Sequence, residues 1–98
     1  MSIDLVAACL WLDLPPARKL VLLALCERAN LATGECWPGR VEIAVRASLT
    51  PRNVTPHLRA LEAEGWLQSG PKPNQAGRTT RRWVNVQRVI ERGEERRQ

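Results

Sequence analysis

Apolar residues recur along this chain at spacings that alternate between a helical and an extended period, and prolines and glycines mark the changes. Pro15 and Pro16 stop whatever precedes them, and Pro16 suits the first turn of a helix, where its missing N–H costs nothing. Leu22, Leu25, Cys26 and Ala29 then fall at i, i+3, i+4 and i+7, the stripe of a buried helix running to about Asn30. Leu20, Val21 and Leu23 widen that stripe, which predicts a central helix covered on more than one side. Upstream, Ile3 to Leu12 is apolar with Asp4 and Asp13 at its edges, a pattern that fits either a short helix or an extended arm.

Downstream, Thr33-Gly34 signals a turn, and Glu35-Cys36-Trp37 before Pro38-Gly39 leaves room for one very short strand. Arg40 to Ala47 is long enough for two helical turns, with Val41, Ile43, Ala44 and Ala47 apolar. Thr50 is an N-cap residue type followed by Pro51, Val54, Leu58 and Leu61 form the inward stripe of a third helix, and Gly65 ends it. A short helix, a tight turn and a second helix is the helix-turn-helix layout. Trp66 to Ser69 begins a strand, Gly70 to Thr80 is rich in Gly, Pro and Asn, and Arg81 to Arg88 places Val84 and Val86 on one face. The expected architecture is α+β: three core helices and a small antiparallel sheet whose hairpin forms a wing. The expected division is an N-terminal arm or short helix over 1–14, the folded domain over 15–90, and a flexible charged tail over 91–98, with a short dimerising extension as the alternative for the tail.

Length supports one domain and no more, since 98 residues bury a modest core. At 44% hydrophobic and 26% charged the chain reads as globular, and with no Phe or Tyr its four Trp supply every aromatic ring. Trp37 and Trp66 are expected as core or sheet anchors, Trp11 and Trp83 as candidates for a contact with another segment or subunit. Three cysteines, Cys9, Cys26 and Cys36, form no C-x-x-C pair, which points to buried reduced thiols rather than a disulfide framework or a zinc site. Met1 to Leu14 lacks a basic start and carries Asp4 and Asp13, and no apolar run approaches the ~20 residues of a membrane span, so the expected compartment is the cytoplasm.

Charge is distributed unevenly along the chain. Residues 1–39 hold three basic and four acidic groups, net −1, whereas residues 40–98 hold twelve and six, net +6. From Trp66 to Ile90 there are five basic residues and no acid, which favours a polyanionic partner. Catalysis is not expected: His57, the sole histidine, has Glu62 and Glu64 nearby but no nucleophile or metal-ligand spacing beside it, and no cofactor is called for.

The run Leu14-Pro15-Pro16, Lys19 to Leu25 and Gly34-Glu35-Cys36-Trp37-Pro38 resembles the winged helix-turn-helix proteins of bacteriophages, plasmids and prophage regions. These include replication-protein DNA-binding domains and small regulators. Ile43-Ala44, Leu49-Thr50, Val54, Leu58 to Glu62 and Gly65-Trp66-Leu67 continue the resemblance, which covers residues 11 to 86. It implies double-stranded DNA binding. Two positions depart from the pattern. Ser48 stands where Gly commonly makes the turn, and Pro56 falls inside the expected recognition helix, which leaves two starts for that helix, Pro51 or Pro56.

A third helix lying in the major groove presents its N-terminal half and the face opposite Val54, Leu58 and Leu61. That selects Thr50, Arg52, Asn53, Thr55, His57 and Arg59 as candidate DNA contacts on the recognition helix. Lys72, Arg78, Arg81 and Arg82 are candidates on the wing, and Arg40 and Arg46 on the second helix for the phosphate backbone. The expected function is a transcriptional repressor of a mobile element that occludes its operator as a homodimer, since no second domain for activation or sensing is visible. Replication or partition origin binding uses the same surface. A winged-helix protein-interaction module that binds an acidic protein is the reading from another class.

Overall fold

The computed structural model describes residues 3–70 and 81–98. Its elements run α1 (Ile3–Leu10), α2 (Pro16–Arg28), β1 (Glu35–Cys36), α3 (Arg40–Ala47), α4 (Pro51–Ala63), β2 (Leu67–Ser69), β3 (Arg82–Val84) and α5 (Val86–Arg97). The first stretch is therefore a helix rather than an arm. Pro16 opens α2 as its position predicts, and Val21, Leu22, Ala24, Leu25 and Cys26 are buried, so this helix is covered on several sides. Leu20 is an exception to the widened stripe and stays exposed. Each fully buried Leu or Val here contributes about 1.5–3 kcal/mol relative to exposure. α2 packs on α1, α3, α4 and β1, and so joins the α3–α4 pair to the terminal helix α1.

Asn30 shapes the turn after α2, its Oδ1 accepting from the N–H groups of Ala32 (2.8 Å) and Thr33 (3.1 Å). The chain then enters β1 at the edge of a three-stranded sheet of order β1-β3-β2. Both pairings are antiparallel, with Trp83 opposite Glu35 on one side and Gln68 on the other. Period-two alternation along β3 puts Arg82 and Val84 inward and Trp83 outward. The cysteines are buried free thiols, as their spacing predicts. The neighbouring Cys9 thiol, and then burial, push the Cys26 thiol far up, and burial pushes Cys36 up to about 11.

The C-terminal third departs from expectation. The strand predicted over Arg81 to Arg88 ends at Val84, because Asn85 caps a helix: its Oδ1 accepts from Arg88 N–H at 3.2 Å. Val86, Val89, Ile90 and Gly93 then follow helical spacing, with Val89 and Gly93 buried. Residues 91–98, expected as a flexible tail, are helical through Arg97. Arg96 Nε donates to the carbonyl of Trp11 at 2.6 Å, satisfying a group that the end of α1 leaves open. Gly93 sits where α5 crosses α1. A Cβ built there lies 2.6 Å from the backbone oxygen of Ala8 and 3.0 Å from its Cα.

The trihelical core α2–α4 with its three-stranded sheet is an α+β winged helix-turn-helix fold, to which α1 and α5 add a further helical pair. Among the described residues no helix is long and apolar enough to cross a membrane.

The α1–α5 crossing yields a stability test. Ala is the better helix former by about 1 kcal/mol, yet Gly93→Ala must push two backbones apart. The net expectation is a loss of about 1–3 kcal/mol, seen as a lower urea midpoint at unchanged slope. An unchanged or higher midpoint would show that the helices separate freely.

Candidate nucleic-acid interface

The turn between α3 and α4 fixes the geometry of the site. Ser48 closes α3 in the left-handed conformation (φ 58°, ψ 42°), and Leu49 N–H reaches back to the carbonyl of Ala44 at 2.9 Å. Thr50 then caps α4, its Oγ1 accepting from Asn53 N–H at 3.3 Å, with Pro51 as the first helical residue. Of the two starts open in the sequence, the helix takes the earlier one and continues through Pro56. Pro56 removes the N–H that would bond to the Arg52 carbonyl. Both residues are exposed, on the side of α4 away from Val54, Leu58 and Leu61, so water can reach the freed oxygen.

That outward side carries Arg52 and Arg59, both exposed, one on either side of Pro56. Asn53 is exposed beside them. Arg40, at the start of α3, bridges to the same helix, its Nη1 donating to Thr55 Oγ1 at 3.1 Å. The turn therefore brings Arg40, Arg52, Asn53, Thr55 and Arg59 onto one α3–α4 surface. Thr50 borders it with its hydroxyl engaged in the cap. His57 stands apart: it is half-buried, and its Nδ1 is buried without a hydrogen-bond partner.

Not every cation predicted for the site joins it. Arg46 is turned toward α2, with Nη1 2.6 Å from Glu27 and Nε 3.4 Å from Glu42. Arg82 faces inward from β3 and is only 8% exposed. Its Nη1 donates to the Pro38 carbonyl at 3.3 Å, its Nε has no partner, and burial holds its pKa below the usual arginine value. Arg82 thus pins β3 to the segment before α3 rather than lying on the outside of the wing. Lys72 and Arg78 fall within 71–80, outside the described residues.

Arg81 keeps an outward position in a setting that composition did not reveal. Its guanidinium lies 4.7 Å from the Trp37 ring centre and 5.7 Å from that of Trp83, and its Nε is 2.9 Å from Glu35 Oε2, without hydrogen-bond alignment. Trp37, expected as a core or sheet anchor, is instead 43% exposed, whereas Trp66 is buried as expected. The signal for Trp37 was alternation: with Cys36 inward, the residues on either side, Glu35 and Trp37, point outward.

Ion pairing sorts the remaining charge. Among the described residues, Arg18, Arg28, Arg46, Arg81, Arg92 and Arg97 each lie against a Glu carboxylate. Arg40, Arg52 and Arg59 have no carboxylate within ion-pair distance in that set. Lys19, Arg88 and Arg96 also lack one, but Arg88 lies over the Trp66 ring and Arg96 on the Trp11 carbonyl; the α3–α4 surface thus groups three exposed arginines without a carboxylate, an arrangement suited to phosphates and guanine edges.

A family described as a helix-turn-helix domain matches residues 12–67, from just after α1 to the start of β2. No curated protein matches the chain.

The turn supplies its own test. A left-handed Ser costs about 1 kcal/mol that Gly does not incur, so Ser48→Gly is expected to raise the thermal midpoint by a few degrees, roughly 4–8 °C per kcal/mol in a domain this small. Ser48→Val, β-branched at positive φ, is expected to lower it. A Gly variant less stable than the parent would contradict this account of the turn.

Proposed function

The chain belongs to the helix-turn-helix domain family, and we propose on that premise that it is a sequence-specific double-stranded DNA-binding protein. The finer reading is a cytoplasmic transcriptional repressor of a phage, plasmid or other mobile element, bound to its operator as a homodimer and acting by occlusion. The observation that carries DNA recognition is the cluster of arginines without a carboxylate partner on the α3–α4 surface, whereas Arg18, Arg28 and Arg46 lie against carboxylates. The mobile-element context rests on the resemblance of the core sequence to such proteins. Occlusion is the simplest mechanism, because a bound domain suffices to exclude a competitor from the same DNA.

In this reading α4 lies in the major groove. Arg52 and Arg59 supply paired donors to guanine O6 and N7, and Asn53 reads adenine. Arg40, oriented by Thr55, meets a phosphate at the groove edge, and Thr50 lies beside the backbone while capping α4. Arg81, held between Trp37 and Trp83, contacts the backbone from the wing side, and Lys72 and Arg78 are assigned to the same role. Arg46 and Arg82 are left out of the contact set because Arg46 is turned toward α2 and Arg82 faces inward, whereas Arg81, though beside Glu35, stays on the outward face.

Selection of duplexes from a random pool by the purified protein, followed by affinity measurement on the recovered sequence, tests this. Arg52→Ala and Arg59→Ala are each expected to weaken binding by about 1–3 kcal/mol and relax preference at one base position. Arg40→Ala is expected to weaken all sequences alike and to flatten the salt dependence by about one counterion, and Arg46→Ala to change affinity less than twofold, roughly. Enrichment of no sequence, together with retention on an acidic protein, would replace this reading with a protein-interaction role.

A further inference from the structure

The α1–α5 pair carries an apolar face that nothing in the described chain covers. Ala7, Leu10 and Trp11 follow at i, i+3 and i+4 along and just beyond α1, and all three are exposed, Leu10 by 54% and Trp11 by 47%. Leu5 and Cys9 on the opposite side are fully buried. A helix apolar on both sides is normally covered on both. Beside this stripe, where Gly93 draws α5 onto Ala8, runs a groove of about 320 Å³ whose lining includes Asp4, Trp11, Ile90 and Arg97.

We infer that this face pairs with the same face of a second copy of the chain, an inference that rests on the DNA-binding reading only in assigning the pair to a two-fold operator. The occupant follows from the charge layout. Asp4 lies in the first turn of α1 and Arg97 in the last turn of α5. Arg96 ties that last turn to Trp11 at the other end of α1, so the groove runs from the carboxylate of Asp4 to the guanidinium of Arg97, with Glu94 on its lining beside Arg97. A two-fold axis perpendicular to α1 lays the α1 helices of two copies antiparallel. Asp4 of each copy then meets the Trp11–Arg97 end of the other, and the two apolar stripes face each other, the self-complementarity that a two-fold interface requires. Asp4 has no ion-pair partner among the described residues, and Arg97 has only the exposed i,i+3 contact to Glu94. The pairing also leaves the DNA-facing side free, because α1 packs on α2 and α5 while α3 and α4 pack on α2 and each other.

Sedimentation velocity of the full chain, with affinities for a half-site duplex and a two-half-site duplex measured alongside, decides the matter. The wild type is expected to be dimeric at micromolar concentration, and Leu10→Glu to weaken the dimer at least about tenfold while matching the wild type's thermal midpoint at dilutions where both are monomeric, since Leu10 lies outside the core. Asp4→Arg and Arg97→Asp are each expected to weaken it, and the double variant to restore it, a rescue that a folding defect does not produce. Loss of dimer with half-site affinity retained supports the interface and the DNA reading together. Dimers disrupted by these variants in a protein that ignores DNA support the interface and remove the DNA reading. A wild type monomeric at about 100 µM, or a Leu10→Glu protein as dimeric as the parent, overturns the interface.

Discussion

Burial of α2 is the constraint from which the rest of the structure follows. A helix with Val21, Leu22, Leu25 and Cys26 all without solvent exposure cannot be satisfied by one neighbour, and the chain covers it from several sides. α3 and α4 cover one part of it, β1 another, and α1 a third. Because α3 and α4 are held by the same helix, the short turn at Ser48 is enough to fix their relative direction. Because α1 is spent on another side of α2, it needs cover of its own, and α5 provides part of that through the Gly93 crossing.

The outward surface of α4 follows from the same packing. Val54, Leu58 and Leu61 face inward, which turns Arg52 and Arg59 to solvent, and the Thr50 cap sets where that surface begins. Electrostatics then distinguishes this surface from the rest. Exposed ion pairs contribute little to stability, but they decide which cations remain free to meet a polyanion. Glu27, Glu35, Glu42 and Glu64 neutralise arginines beyond α4, whereas Arg40 keeps only a neutral hydroxyl partner in Thr55.

The helical core was legible in the sequence because its signals agree with one another. Pro16 and Pro51 mark helix starts, the apolar stripes keep the helical period, and Gly65 takes a left-handed conformation (φ 85°) where α4 was expected to stop. The chain after β3 was harder to read for two physical reasons. Val84 and Val86 alternate as a strand would, while Val86 also begins the helical series to Val89, Ile90 and Gly93. Moreover, the residue that docks the end of α5 is a glycine, whose contribution is the absence of a side chain, so hydrophobic patterning cannot register it. Charge counting failed at Arg82 for a related reason: it sums cations without asking which face of the strand carries each. Alternation from buried Val84 places Arg82 inward and Arg81 outward, and the same reasoning from Cys36 places Trp37 outside.

The proposed place where DNA meets this protein is the α3–α4 surface. Amide chemical-shift mapping by NMR, on titration with a selected duplex, tests it most directly. The largest changes are expected at Arg40 and from Thr50 to Arg59, with α5 little affected. Shifts centred on α1 and α5, with α4 unchanged, would contradict it.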